Sequence, residues 1–93
     1  MFEVHTRTWT VDITIDEHED ESRTRAVAVL RTEARPQVRG VGNAYRSPRD
    51  REVPEIGDEL ASARALADLA YQLLDVTAAD IEAIVHRPVY LNS

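Results

Sequence analysis

Cysteine is absent from this 93-residue chain, and so is lysine. Without cysteine there is no disulfide, no thiolate metal site and no Cys nucleophile, which also fits a reducing compartment. No apolar run approaches the roughly 20 residues of a membrane-spanning helix. The opening Met-Phe-Glu-Val-His lacks the basic and apolar segments of a secretory signal. These absences set the expectation of a cytoplasmic protein with no membrane partner. With 43% hydrophobic and 30% charged residues, a disordered or collagen-like chain is excluded. The length fits one domain, residues 1–93, built around one core.

All 11 basic residues are arginine, which reflects either a coding bias or a use for planar, bidentate donors. Their distribution is uneven. Between Arg23 and Arg51 eight arginines face two acids, a local charge of +6, while the remaining residues carry −12 and the whole chain −6. The net charge argues against non-specific nucleic-acid binding, yet the middle third holds enough arginine for a basic strip.

Thr8 to Ile15 alternates apolar and polar residues, with Trp9, Val11, Ile13 and Ile15 on one side, the period of a half-buried strand. The acidic run from Asp16 to Glu21 reads as a turn. A second strand spans about 24–32, placing Ala26, Ala28 and Leu30 inward with Trp9 and Ile13, and Val27 and Val29 outward. Arg35-Pro36 ends it, because proline brings no N–H to the ladder. A third strand spans about 37–45, with Val41 and Tyr45 outward. Its Gly40 and Gly42 predict a bulge or a close backbone approach. The polar stretch around Ser47-Pro48 connects it to a long amphipathic helix over about 56–75.

On that helix Ile56, Leu60, Ala63, Ala67, Ala70 and Leu74 fall within about 40° of a common line, with Arg64, Asp68, Gln72 and Asp75 opposite. Thr77-Ala-Ala-Asp80 resembles a capping box, predicting a separate short helix over 78–85 that His86-Arg87-Pro88 closes. The expected fold is therefore α+β: a three-stranded antiparallel meander, a long helix and a short C-terminal helix.

Two apolar surfaces exceed what this architecture covers. The helix arc, widened by Leu66, Leu69 and Leu73, is broader than one contact surface needs. The outer sheet face holds Val27, Val29 and Val41, and exposed apolar patches mark interfaces. These six residues are the candidate interface of a homodimer, for which an isologous two-fold is the commonest arrangement. The alternative is a monomer whose C-terminal tail folds over the patch.

No catalytic constellation stands out. His5, His18 and His86 belong to no metal motif. The acidic run fails the calcium-loop pattern, with Glu21 where glycine is required and Val27 where the bidentate Glu should stand. Gly40-Val-Gly42 sits inside a strand, and residue 45 of a dinucleotide fingerprint would be Tyr45. No serine has a nucleophile-elbow context. The expectation is no enzyme, no cofactor, no metal and no small-molecule substrate. The arginine strip is the remaining candidate: Arg25, Arg31 and Arg39 on strands, Arg23 just ahead of the second, Arg46, Arg49 and Arg51 in the loop after the third, and Tyr45 to stack a base. Such a surface binds RNA, or its arginines pair with the abundant acids.

The segments Ile56-Gly-Asp-Glu-Leu60 and Ala65-Leu-Ala-Asp-Leu69, with Thr24-Arg-Ala-Val-Ala-Val-Leu30 and Val38-Arg-Gly-Val-Gly42 before them, resemble a small actinobacterial family of unknown function that includes a mycobacterial dormancy-associated protein. The resemblance covers about residues 7 to 87. It implies a compact homodimeric α+β fold, dsRBD-like and similar in shape to ribosome hibernation factors, acting in stress or dormancy by docking on the ribosome. The helix from Ile56 to Asp75 is acidic apart from Arg64, so ribosomal RNA would have to meet the Arg23–Arg51 strip. The competing expectation is a dimeric protein–protein module that uses its acidic surface and binds no nucleic acid.

Overall fold

The computed structural model describes residues 3–33, 37–46 and 54–91. Strand β1 (Thr10–His18) pairs antiparallel with β2 (Arg23–Arg31), which pairs antiparallel with β3 (Val38–Tyr45), and helix α1 (Pro54–Val85) follows. The sheet order is β1-β2-β3, the meander expected from the alternation. The acidic run is only partly a turn. Asp16, Glu17 and His18 continue β1, and a 3-10 turn, Glu19–Glu21, reverses the chain through Ser22 in the left-handed region at φ 50°. Across the ladder Asp16, Glu17 and His18 stand opposite Arg25, Thr24 and Arg23, which sets one acid, Asp16, against a cation. Arg35-Pro36 and Ser47-Pro48 lie outside the described residues.

Helix α1 covers one face of β2 and β3 and barely reaches β1. The core between them is built from Ala26, Ala28 and Leu30 of β2, Val38 and Ala44 of β3, and Ala61, Ala65 and Leu69 of α1, with Leu73 and Val76 packed at its margin. Gly40 and Gly42 explain why the helical contribution is so small in volume. Neither has a positive φ; each supplies space. A Cβ at Gly42 would overlap the Ala61 carbonyl and the Ala65 amide, and one at Gly40 would overlap the Ala65 carbonyl and the Leu69 amide. The glycines are sites of backbone approach, and α1 runs antiparallel to β3 along them.

That approach fixes which side of the helix faces inward, and it is not the side with the largest residues. Ile56 and Leu60 are 61% and 40% exposed, and Ala63, Ala67 and Ala70 are also exposed. Only small side chains fit over Gly40 and Gly42, so Ala61 and Ala65 take the inward positions there, and the stripe that begins with Ile56 and Leu60 points to solvent. Trp9 and Ile13 correct the sequence expectation in the same way. Ile13 shares the helix-facing side with Ala28, yet it is 38% exposed and Trp9 52%, because the helix lies over the other two strands.

The helix is continuous, and the separate helix expected over 78–85 does not exist. Thr77 donates its hydroxyl to the Leu73 carbonyl at 2.8 Å, one turn back. A threonine bonded in this way sits inside a helix and caps nothing. The real stop is His86, in the left-handed region at φ 57°. At 32 residues α1 is about 48 Å long, against about 30 Å for a nine-residue strand, so it is longer than the sheet it covers. The tail that follows is held to α1, Val89 N–H donating to Glu82 Oε1 at 2.9 Å.

Candidate interaction surface

The register decides what the uncovered sheet face presents. Val27 stands opposite Val41 on β3 and Thr14 on β1, and Val29 opposite Arg39 and Asp12. Arg25 stands opposite Asn43 and Asp16, and Arg23 opposite Tyr45 and His18. Since side chains alternate across a strand, one face gathers Val27, Val29 and Val41 at its centre with Arg23, Arg25, Arg31, Arg39 and Tyr45 around them. Helix α1 lies on the opposite face, and the three valines are half-buried. The C-terminal tail does not cover them; it lies against the end of α1, with Tyr90 87% exposed.

The arginines on this face differ in their engagement. Arg31 Nε donates to Asp12 Oδ2 across the β1–β2 ladder. Arg23 Nε lies 2.9 Å from Glu21 Oε2, but its N–H is not aligned on the carboxylate. Arg25 and Arg39 make no ion pair among the described residues, and Tyr45 is 69% exposed. Arg46 sits just past β3, its N–H donating to the Ser22 carbonyl at 2.9 Å. Arg49 and Arg51 lie outside the described residues. The sequence-derived strip thus resolves into one face with two committed arginines, two uncommitted ones and an apolar centre.

The helix members of the candidate interface separate. Leu69 is 5% exposed and belongs to the protein's own core, which removes it from any dimer surface. Leu73 packs at the core margin, and Leu66 remains 42% exposed. Two residues that sequence reasoning placed simply on a polar helix face have a definite task. Arg64 Nη1 donates to the Asn43 carbonyl at 2.6 Å, and Asp68 Oδ2 accepts from the Val41 N–H at 2.8 Å. One turn apart on α1, they hook over the free edge of β3. The i, i+4 spacing of opposite charges was visible in the sequence, but its target on β3 was not.

Among the described residues no three His, Asp or Glu side chains converge as a cation site requires. No described helix is long and apolar enough to cross a membrane.

Comparison with known proteins adds a family. Residues 7–90 match the model of a family described as Rv2632c-like. The chain is 57% identical over 83 residues to an uncharacterized protein of Mycobacterium tuberculosis, MT1780, covering 89% of this chain and 85% of that protein. It is 52% identical over 83 residues to the uncharacterized M. tuberculosis protein Rv2632c, covering 89% and 86%. The crystal structure of Rv2632c superimposes with a TM-score of 0.80 at 49% identity, covering 94% of this chain and 100% of that one.

Proposed function

This chain belongs to the Rv2632c-like family, and from what its fold leaves uncovered we propose that it is a non-enzymatic, homodimeric interaction module whose open sheet face receives a partner protein. The observation that carries this reading is the composition of that face. An apolar centre of Val27, Val29 and Val41, flanked by arginines and Tyr45 along β2 and β3 and by Asp12, Thr14 and Asp16 along β1, is the arrangement of a protein interface, with its apolar core and polar rim. Tyr and Arg are also the side chains enriched where binding energy concentrates. The fitting partner presents acidic residues to Arg25 and Arg39 around an apolar centre.

A second reading uses the same face for ribosomal RNA, in a stress- or dormancy-associated, hibernation-factor-like role in the cytoplasm. It is supported by Tyr45, exposed opposite Arg23 and diagonal to the uncommitted Arg25, since an aromatic on a cationic sheet stacks unpaired bases. The apolar centre and the acids Asp12 and Asp16 on the same face weigh against it.

Ribosome co-sedimentation and capture from stationary-phase lysate, each with and without nuclease, separate the two. A partner that survives nuclease and is lost on V29E or R39E supports the protein reading. A partner lost to nuclease, with affinity falling steeply as salt rises, supports RNA. Retention of every partner by both variants would exclude this face altogether.

A further inference from the structure

The long helix carries a regularity that the sheet does not use. From Ile56 to Ile84, alternating steps of four and three residues meet Ile, Leu, Ala, Ala, Ala, Leu, Thr, Ile and Ile in turn. This is four heptads of an apolar seam broken only by Thr77, the pattern of a helix that pairs with another helix. A strictly packed surface helix has no need of it on its outer side. Here the inward side belongs to Ala61, Ala65 and Leu69, and the seam runs along the opposite one, with Ile56 61% and Ile84 77% exposed at its ends. It extends ~42 Å, nearly the whole length of α1.

We propose that the occupant of this seam is a second copy of the same helix, parallel and in phase, so that two chains lie back to back with their sheets outermost. The flanks of the seam select both partner and direction. In a parallel pair the residue before each seam position reached by a step of four meets, five residues on, a flank residue of the other helix. Glu59 of one copy then meets Arg64 of the other, which spends one guanidinium N–H on the Asn43 carbonyl and has four others to offer, and the two-fold repeats the contact. The next pair so formed is Leu66 with Tyr71, both apolar in body and 42% and 58% exposed in the single chain. An antiparallel pair would not bring Glu59 to Arg64. The alanines at 63, 67 and 70 let the two backbones approach closely in the middle, while isoleucine and leucine fill the ends.

The proposal rests on the homodimeric reading above and names its surface, leaving the arginine face free for another partner. Sedimentation velocity on the full chain at tens of micromolar is the test. The expected result is a dimer for the wild type and for V29E, and a monomer for A67E. Ala67 is exposed in the single chain and glutamate is a good helix former, so circular dichroism should be unchanged while dimer affinity falls about 100-fold or more, as unpaired buried carboxylates demand. In this cysteine-free chain I84C reads direction: parallel helices bring the two thiols together and mild oxidation yields a covalent dimer. A dimer that persists in A67E but is lost in V29E would overturn the seam and leave the homodimer standing. A wild-type monomer would overturn the homodimer itself. Loss of the dimer in A67E without oxidation of I84C would overturn the parallel arrangement.

Discussion

Asp68 of the helix accepts a hydrogen bond from the backbone N–H of Val41 at 2.8 Å, so a side chain occupies the position where a further strand would pair with β3. Arg64 treats the Asn43 carbonyl in the same way. Between them they satisfy outward-facing backbone groups of an edge strand, one of the ways native sheets avoid adding strands from other molecules. Replacing Asp68 by alanine should cost about 1–3 kcal/mol, the scale for hydrogen bonds to a charged group. It should also raise concentration-dependent aggregation, because the freed edge is a template. Urea unfolding and light scattering of D68A measure the two effects, and an unchanged midpoint with no aggregation would show that the hook does nothing for the fold.

Gly40 and Gly42 should be the least replaceable residues of β3. At both positions a methyl group meets helix backbone, which has no rotamer by which to move aside. G40A or G42A should therefore destabilise by about 3 kcal/mol or more, the upper end of overpacking costs. Alanine's reduced unfolded-state entropy offsets only about 0.4–1 kcal/mol of that. Denaturant midpoints for the two variants, against the wild type, provide the measurement.

The same contact explains what could and could not be foreseen. The strands, their order and the face assignment of Val27, Val29 and Val41 followed from alternation, since a period of two leaves no freedom once one residue is placed. The inward side of the helix did not. Ile56, Leu60 and Leu74 drew the apolar line by size, whereas the sheet selected by smallness, and the pair Gly40/Gly42 was the signal that joined the two. Arginines 23, 25, 31 and 39 were placed on one face by the register alone. Which of them pair with acids depends on cross-strand neighbours such as Asp12, invisible until the pairing of β1 and β2 was known.

The continuity of α1 at Thr77 makes a discriminating prediction. A threonine that caps a helix start loses about 1 kcal/mol on replacement by alanine. Thr77 instead bonds the Leu73 carbonyl within the helix, and its loss exposes no amide. T77A should therefore leave the thermal midpoint unchanged or raised slightly, as alanine is the better helix former. A78P should separate the two architectures more sharply. Proline is favourable at the first position of a new helix but costs about 3 kcal/mol in a helix interior, and loss of helical circular dichroism in A78P is the expected result.

Strand β1 should be the first part of the sheet to open. Its residues are exposed along nearly the whole length, on both faces, because the helix lies over β2 and β3. Its apolar residues Val11, Ile13 and Ile15 retain 38–41% exposure, so each contributes only part of its burial free energy, while Leu30 opposite Val11 is 6% exposed. Amides of β1 that pair with β2 should thus exchange with solvent well before those joining β2 to β3, which open only when the helix lifts. Substitution follows the same gradient. I13T should cost under about 1.5 kcal/mol, whereas L30A should cost about 2–5 kcal/mol. If I13T proved as damaging as L30A, or β1 exchanged as slowly as β3, some other surface would have to cover Val11, Ile13 and Ile15. Dilution would then distinguish a second molecule from the chain itself, since only cover supplied by another copy is lost as concentration falls.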